Sequence, residues 1–179
     1  MIKQELKKEL NKLVGKTVIS SNAGGAASSI LLVKFDNDFD IWAWRYWEVI
    51  CKDKIVGCSE DDDTPNTGKM SIAANKLKNW IVSKIKLIEK NLSLKICFDN
   101  NFELRIFTEK ETNKEFVSVV NWEYEQPSED SCYIVTSQVK LEKTKYWDWW
   151  NTSKGNLGSV KIRGTGLNRP QISLVQCHL

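Results

Sequence analysis

Apolar residues recur along this chain with two different periods. Ile2, Leu6, Leu10 and Leu13 fall at helical spacing with Lys and Glu between them, which predicts an amphipathic helix over 2–13. Beyond it the period drops to two. Leu31, Val33 and Phe35 alternate with other residues, as do Leu94, Ile96 and Phe98. Val82–Glu89, Val117–Tyr124, Tyr133–Ser137 and Val139–Lys143 also read as strands. Ser71–Trp80 reads as a short helix with Ser71 as its N-cap. Asn22–Ser29 is a loop, and Glu60–Lys69 links the halves of the pattern.

Those halves are copies. Phe35-Asp36-Asn37-Asp38-Phe39-Asp40-Ile41 returns 63 residues later as Phe98-Asp99-Asn100-Asn101-Phe102-Glu103-Leu104. Leu13–Ser20 resembles Leu77–Lys84, and Trp47-Glu48-Val49 resembles Trp122-Glu123-Tyr124. The last offset is 75, so the second copy is twelve residues longer, and Glu109–Asn113 with its flanks is the natural place for them. Asp-Asn and Asn-Asn tolerate left-handed dihedrals and suit tight turns between strands. The expected architecture is mainly β (α+β). It is a pseudo-duplicated antiparallel sheet pair or partly open barrel, with about four strands per copy and an N-terminal amphipathic helix. The chain reads as one domain, 1–179, with repeats over about 13–59 and 77–137, and 138–179 as a Trp-rich, basic extension.

Composition narrows the function classes. Nine Gly and three Pro exclude a low-complexity chain, and no apolar run is long enough for a membrane helix. The first residues lack the apolar core of a signal peptide, which points to the cytoplasm. Cys51, Cys58, Cys97, Cys132 and Cys177 are odd in number and form no CxxC, so buried free thiols are expected rather than a disulfide or metal framework. The single histidine, His178, is next to the C-terminus, and no phosphate loop, HExxH or GxSxG occurs. Asp36, Asp38 and Asp40 read as turn formers and solvent-facing strand residues, not metal ligands, and Asp99…Glu103-Leu104-Arg105 is a faint nuclease-like pattern inside a hairpin. The chain is therefore read as a non-enzyme without cofactor or metal.

The net charge is only +3, but it is unevenly spread. Glu60, Asp61, Asp62 and Asp63 form an acidic block, while Lys154, Lys161, Arg163 and Arg169 follow the last acid, Asp148. Eight tryptophans stand out. Trp42, Trp44 and Trp47 fall on one predicted hairpin arm with Arg45 and Tyr46, and Tyr146, Trp147, Trp149 and Trp150 form a second cluster. Exposed Trp beside Arg is the composition of a protein-binding hot spot. The acidic block and small net charge argue against nucleic acid.

The pattern LxxKxVxS…LxFDNxFxI…W is carried by Leu13–Ser20 with Leu31–Trp47, and more loosely by Leu77–Lys84 with Leu94–Trp122. It is similar to duplicated β modules of bacterial proteins. The Lys/Asn/Ile-rich, catalytically empty chain resembles immunity proteins of polymorphic-toxin and contact-dependent growth inhibition systems. The resemblance implies a cytoplasmic protein that binds a cognate toxin and occludes its active site. Trp42, Trp44, Arg45 and Trp149 would be anchors, and Glu60, Asp61, Asp62 and Asp63 the electrostatic element toward a basic nuclease. The alternatives are another interaction or structural module, including a homodimer through edge strands, and a single-stranded nucleic-acid-binding module.

Overall fold

A computed structural model describes residues 1–25, 28–109 and 120–149. Helix α1 (Ile2–Asn11) precedes strands β1 (Val18–Asn22), β2 (Leu31–Phe35), β3 (Phe39–Ala43), β4 (Trp47–Cys51) and β5 (Lys54–Cys58). Helix α2 (Lys69–Asn75) precedes β6 (Val82–Ile88), β7 (Ser93–Phe98), β8 (Phe102–Ile106), β9 (Val120–Gln126), β10 (Ser131–Thr136) and β11 (Leu141–Thr144); a one-turn helix, α3 (Tyr146–Trp149), follows. The strands form two antiparallel sheets, β1-β2-β3-β9-β10-β11 and β5-β4-β8-β7-β6. The mainly β sheet pair expected from the alternating pattern is therefore present. Among the described residues the first half contributes five strands, β1–β5, and the second six, β6–β11, more than the four expected of each.

The repeated hairpins fold alike. β2 pairs with β3 from Phe35↔Phe39 outward, and β7 with β8 from Cys97↔Glu103. Their turns use left-handed residues that tolerate this geometry, Asn37 and Asp38 in one and Asn101 in the other. Asp36 and Asp99, at the start of these turns, bind the segment that leads into the first strand of each half. Their carboxylates accept the backbone N–H of Thr17 (3.2 Å) and Ile81 (3.3 Å), respectively.

A pseudo-two-fold axis relates the halves and passes close to the antiparallel bridge Thr17↔Ile81. Around it the hydrogen bonds are reciprocal. Val18 N–H donates to Trp80 O and Val82 N–H to Lys16 O; Gly15 N–H donates to Val82 O and Asn79 N–H to Val18 O. The bulges correspond as well, at Val18/Ser20 in β1 and at Val82/Lys84 in β6. Gly15 and Asn79, both left-handed, end the turns that follow the two helices at equivalent points.

The halves are interlocked rather than laid side by side. β3 pairs with β9 and β8 with β4. The last strands of each half thus complete the sheet begun by the other. Trp42, Trp44 and Trp47 consequently do not share one hairpin arm. Trp42 is on β3 in one sheet, Trp47 is on β4 in the other, and Trp44–Tyr46 is the crossing between them. Short crossings leave no room for a local β3–β4 hairpin once both inner faces must meet in one core.

That core is continuous across both sheets. Trp47 and Trp122, at equivalent positions, are fully buried, with Leu31, Val33, Phe35, Ile41, Leu94, Ile96, Leu104 and Tyr124 around them. Each helix plugs one open side. α1 packs on β6 and β11, and α2 on β1 and β5. Leu6, Leu10 and Leu13 carry the buried stripe of α1. Ser71 is not an N-cap. Gly68 takes that place, and the Ser71 hydroxyl sits inside α2, donating to Ala23 O at 2.8 Å. Cys132 is buried as expected of a thiol, but Cys51, Cys58 and Cys97 are only half-buried, because they fall on outward-facing or strand-end positions.

Polar contacts tie α1 to the six-stranded sheet. Glu5 accepts from Lys143 Nζ (2.6 Å) and Tyr133 Oη (3.0 Å), and Glu9 accepts from Gln126 Nε2 (2.8 Å). Lys143 and Tyr133 hold the Glu5 carboxyl below its ordinary value of 4.5. At Glu9 burial works upward, but Gln126 and Lys12 outweigh it and the carboxyl is again held low. Carboxyls depressed by folding stabilise the fold above their ordinary value and lose that contribution as pH falls through the folded value. The α1 contact is therefore expected to loosen below about pH 4.5. The Glu5→Gln/Glu9→Gln variant should show a flatter loss of urea midpoint between pH 5 and 3 (about two units of pH). An unchanged pH slope would remove the role of these two groups.

Candidate functional site

Strand alternation sorts the six-stranded sheet into two faces. Leu31, Val33, Ile41, Trp122, Tyr124 and Tyr133 point inward. The opposite face carries Asp40 and Trp42 of β3, Glu123 and Glu125 of β9, and Cys132 and Ile134 of β10. Register sets the neighbours: Trp42 lies opposite Glu123, and Asp40 opposite Glu125. Cys132 lies opposite Glu125, and Ile134 opposite Glu123.

On this face the indoles of Trp42 and Trp44 stack, with ring centroids 5.7 Å apart and planes 15° apart. Their N–H groups are fixed by the acids. Trp42 Nε1 donates to Glu125 at 3.1 Å, and Trp44 Nε1 donates to Glu123 at 3.0 Å. The two rings stay half-buried, while Glu123 and Glu125 are 0% and 1% exposed. Two carboxylates thus hold a pair of aromatic planes at the surface.

α3 packs against β10 and brings Tyr146 to the same face. Burial, together with the negative field of Glu125, Asp40, Cys132 and Glu123, pushes the Tyr146 phenol well above its ordinary value. Tyr146 packs edge-on against Trp147, which is 42% exposed. Ligand atoms of Glu123, Glu125 and Cys132 lie within 4.8 Å of one another. Two hard carboxylates and one soft thiolate make a mixed donor set, and both carboxylates already serve as indole acceptors.

The structure brings together only part of the residues singled out from the sequence. Trp42 and Trp44 form the centre of the face. Arg45 follows them in the crossing to β4 and is half-buried. Trp149 ends α3, and its side chain, like Trp150, lies outside the described residues. The acidic block sits elsewhere, in the β5–α2 loop, where hydrogen bonds fold it back on its own neighbourhood. Asp61 accepts from Cys58 N–H at 2.7 Å and from Lys69 Nζ at 2.9 Å. Although burial works upward on Asp61, Lys69 and Cys58 hold its carboxyl low. Asp62 accepts from both the N–H and the hydroxyl of Thr64. Asp61 and Asp62 therefore shape the loop, whereas Glu60 and Asp63 point to solvent. The nuclease-like pattern is not assembled: Asp99 accepts from the backbone N–H of Ile81, and Glu103 is paired with Lys95 and Arg105.

Comparison with known proteins leaves the fold and this face as the guide to function. No protein-family model, no curated protein and no solved structure matches the chain. Among the described residues no helix is long and apolar enough to cross a membrane.

Glu123 and Glu125 were missed by sequence reasoning, although a signal existed. Trp122-Glu123-Tyr124-Glu125 alternates aromatic and acid, which on a strand places aromatics on one face and acids on the other. What the sequence lacks is the partner strand. Only the exchange of β9 onto β3 sets those acids under Trp42 and Trp44.

Proposed function

We propose that this chain is a cytoplasmic immunity-type protein that binds a cognate bacterial toxin domain and blocks its active site. The observation that carries this reading is the stacked Trp42–Trp44 pair, held half-buried by Glu123 and Glu125. Rigid aromatic planes flanked by carboxylates suit a basic, nucleic-acid-binding groove, since they offer stacking surface and negative charge together. The same carboxylates disfavour direct binding of nucleic acid, because phosphates approaching Trp42 and Trp44 would meet Asp40, Glu123 and Glu125. Glu60 and Asp63 would add a second negative surface that steers encounter.

The test is co-expression of the chain with the toxin-like open reading frame beside its gene, scored by growth and by co-purification. Protection and a stoichiometric complex are expected. In that complex, Glu60→Lys/Asp63→Lys should slow association about tenfold at low salt and leave dissociation nearly unchanged. An unaltered association rate would remove the steering role. Failure of the wild-type chain to protect or to co-purify would overturn the proposal.

A further inference from the structure

Cross-strand register on the five-stranded sheet gathers like charge. Lys86 of β6 lies opposite Lys95 of β7, Lys95 opposite Arg105 of β8, and Arg105 opposite Glu48 of β4. Three cations thus stand in one row across adjacent strands, about 5 Å apart by strand spacing. Like charges set directly opposite destabilise a sheet unless acids are brought to them. Toward the middle of the sheet they are. Glu103 pairs with both Lys95 and Arg105, and Glu48, opposite Arg105, accepts from Tyr46 Oη at 2.9 Å. At the β6 end they are not. Lys86 makes no ion pair among the described residues, nor does Lys84 on the same side of the strand, nor Lys90 just beyond it.

That end of the row is also an open edge. Val82 is taken up by Lys16 and Gly15, but from Ser83 to Leu87 the described residues give β6 no strand neighbour except β7. β6 is the longest edge strand of the two sheets, with 7 residues against 5 in β1, 5 in β5 and 4 in β11. Beyond the Ser83 bulge its positions alternate. Lys84, Lys86 and the exposed Ile88 face outward, whereas Leu87 is buried and Ile85 is half-buried on the core side. α1 packs beside this strand and leaves a cleft, whose lining includes Lys7, Leu10, Ile85, Lys86, Leu87 and Lys90. Glu89, the acid of this cleft, is already engaged with Lys7. The edge therefore combines free backbone positions, an apolar floor and surplus positive charge.

We propose that the open edge of β6 takes up an extended segment of another protein, with alternating acidic and apolar side chains, as a sixth strand of the five-stranded sheet. Its acids extend the row beyond Lys84 and Lys86 on the outer face, and its apolar residues continue Ile85 and Leu87 over the cleft beside α1. Charge selects this occupant. A second β6 laid antiparallel on the edge would set lysine against lysine, so the chain rejects its own copy there. Nucleic acid would satisfy the lysines but not the edge, because N–H and C=O groups at strand spacing match another peptide backbone and not a sugar–phosphate one. The Trp42–Trp44 face lies on the other sheet, so this site and the proposed toxin-binding role stand or fall separately.

The test uses the full chain and, as probe, a capped heptapeptide of alternating Val and Glu, with binding followed by calorimetry and by hydrogen exchange of the β6 amides. A Kd below about 1 mM and slowed exchange at alternate residues of β6 are expected, and no binding at that concentration would overturn the proposal. Lys84→Glu/Lys86→Glu should weaken the acidic peptide at least about tenfold and admit a peptide of alternating Val and Lys instead. Unchanged affinity for the acidic peptide would overturn the role of the lysines. Should that variant not fold, wild type at about 1 M salt decides by the same tenfold criterion. A fully N-methylated copy of the probe keeps its charges and loses its backbone donors, so equal binding by that copy would overturn strand addition. Tighter binding of a thymidine oligonucleotide at the same lysines, or a wild-type dimer that protects β6, would overturn the choice of occupant.

Discussion

Trp47→Ala and Trp122→Ala are each expected to lower stability by about 3–5 kcal/mol, and by similar amounts. Both rings are fully buried between the sheets. Both also use the indole N–H in the same way. Trp47 Nε1 donates to Ser29 O at 2.7 Å, and Trp122 Nε1 donates to Leu92 O at 2.8 Å. Residues 29 and 92 are equivalent under the 63-residue offset, so one interaction has been built twice. Each carbonyl belongs to the connection that leads into the second strand of its half, so the indole ties the exchanged strand back to a loop of its own half, which belongs to the opposite sheet. Truncation removes a large apolar volume and leaves that carbonyl without its donor. The expected fall in melting temperature is roughly 10 °C or more. The Phe substitutions separate the two effects, since they keep most of the volume and forfeit the hydrogen bond, at about 1–3 kcal/mol. Thermal and urea unfolding of the four single variants measure this. Effects under about 1 kcal/mol, or grossly unequal effects at the two sites, would contradict the two-fold account of the core.

Trp44→Ala should produce the opposite profile. Its ring is half-buried, stacked on Trp42 and anchored by one hydrogen bond to Glu123. Loss of that bond should cost the fold about 1 kcal/mol. If the proposed function holds, loss of the aromatic plane should weaken the proposed toxin complex by about 2 kcal/mol or more, which is roughly thirtyfold in Kd. The change should appear mainly in dissociation, because the ring is an anchor and not a charge. Surface-binding kinetics on wild type and Trp44→Ala, beside their melting curves, are the measurement. A thirtyfold effect on Kd with little change in melting temperature is the expected result. Unchanged affinity would take Trp42 and Trp44 out of the interface.

These two outcomes also mark how far sequence carries in this protein. Trp42, Trp44 and Trp47 lie within six residues and look alike in composition. Alternation correctly places Trp42 and Trp44 on one side of the chain, and they do stack. It does not reveal that the chain crosses to the other sheet before Trp47, because the crossing is set by contacts with β8 and β9, far along the chain. The acidic block shows the same limit. Its charge is evident at 60–63, but Asp61 and Asp62 are committed to Cys58, Lys69 and Thr64, partners chosen by how the β5–α2 loop closes.

Local pattern determined the amphipathic first helix, the two Asx-rich hairpins, the duplication and the mainly β class, because each depends on neighbours within a few residues and on side-chain period alone. The tertiary structure decided which half supplies the outer strands of each sheet, and with it the site. Two copies with the same alternation can pair within themselves or across, and both choices bury the same apolar face. Only the crossed pairing, closed by α1 and α2 over the two open sides, lays Glu123 and Glu125 beneath Trp42 and Trp44 and turns an ordinary sheet surface into an acidic aromatic one.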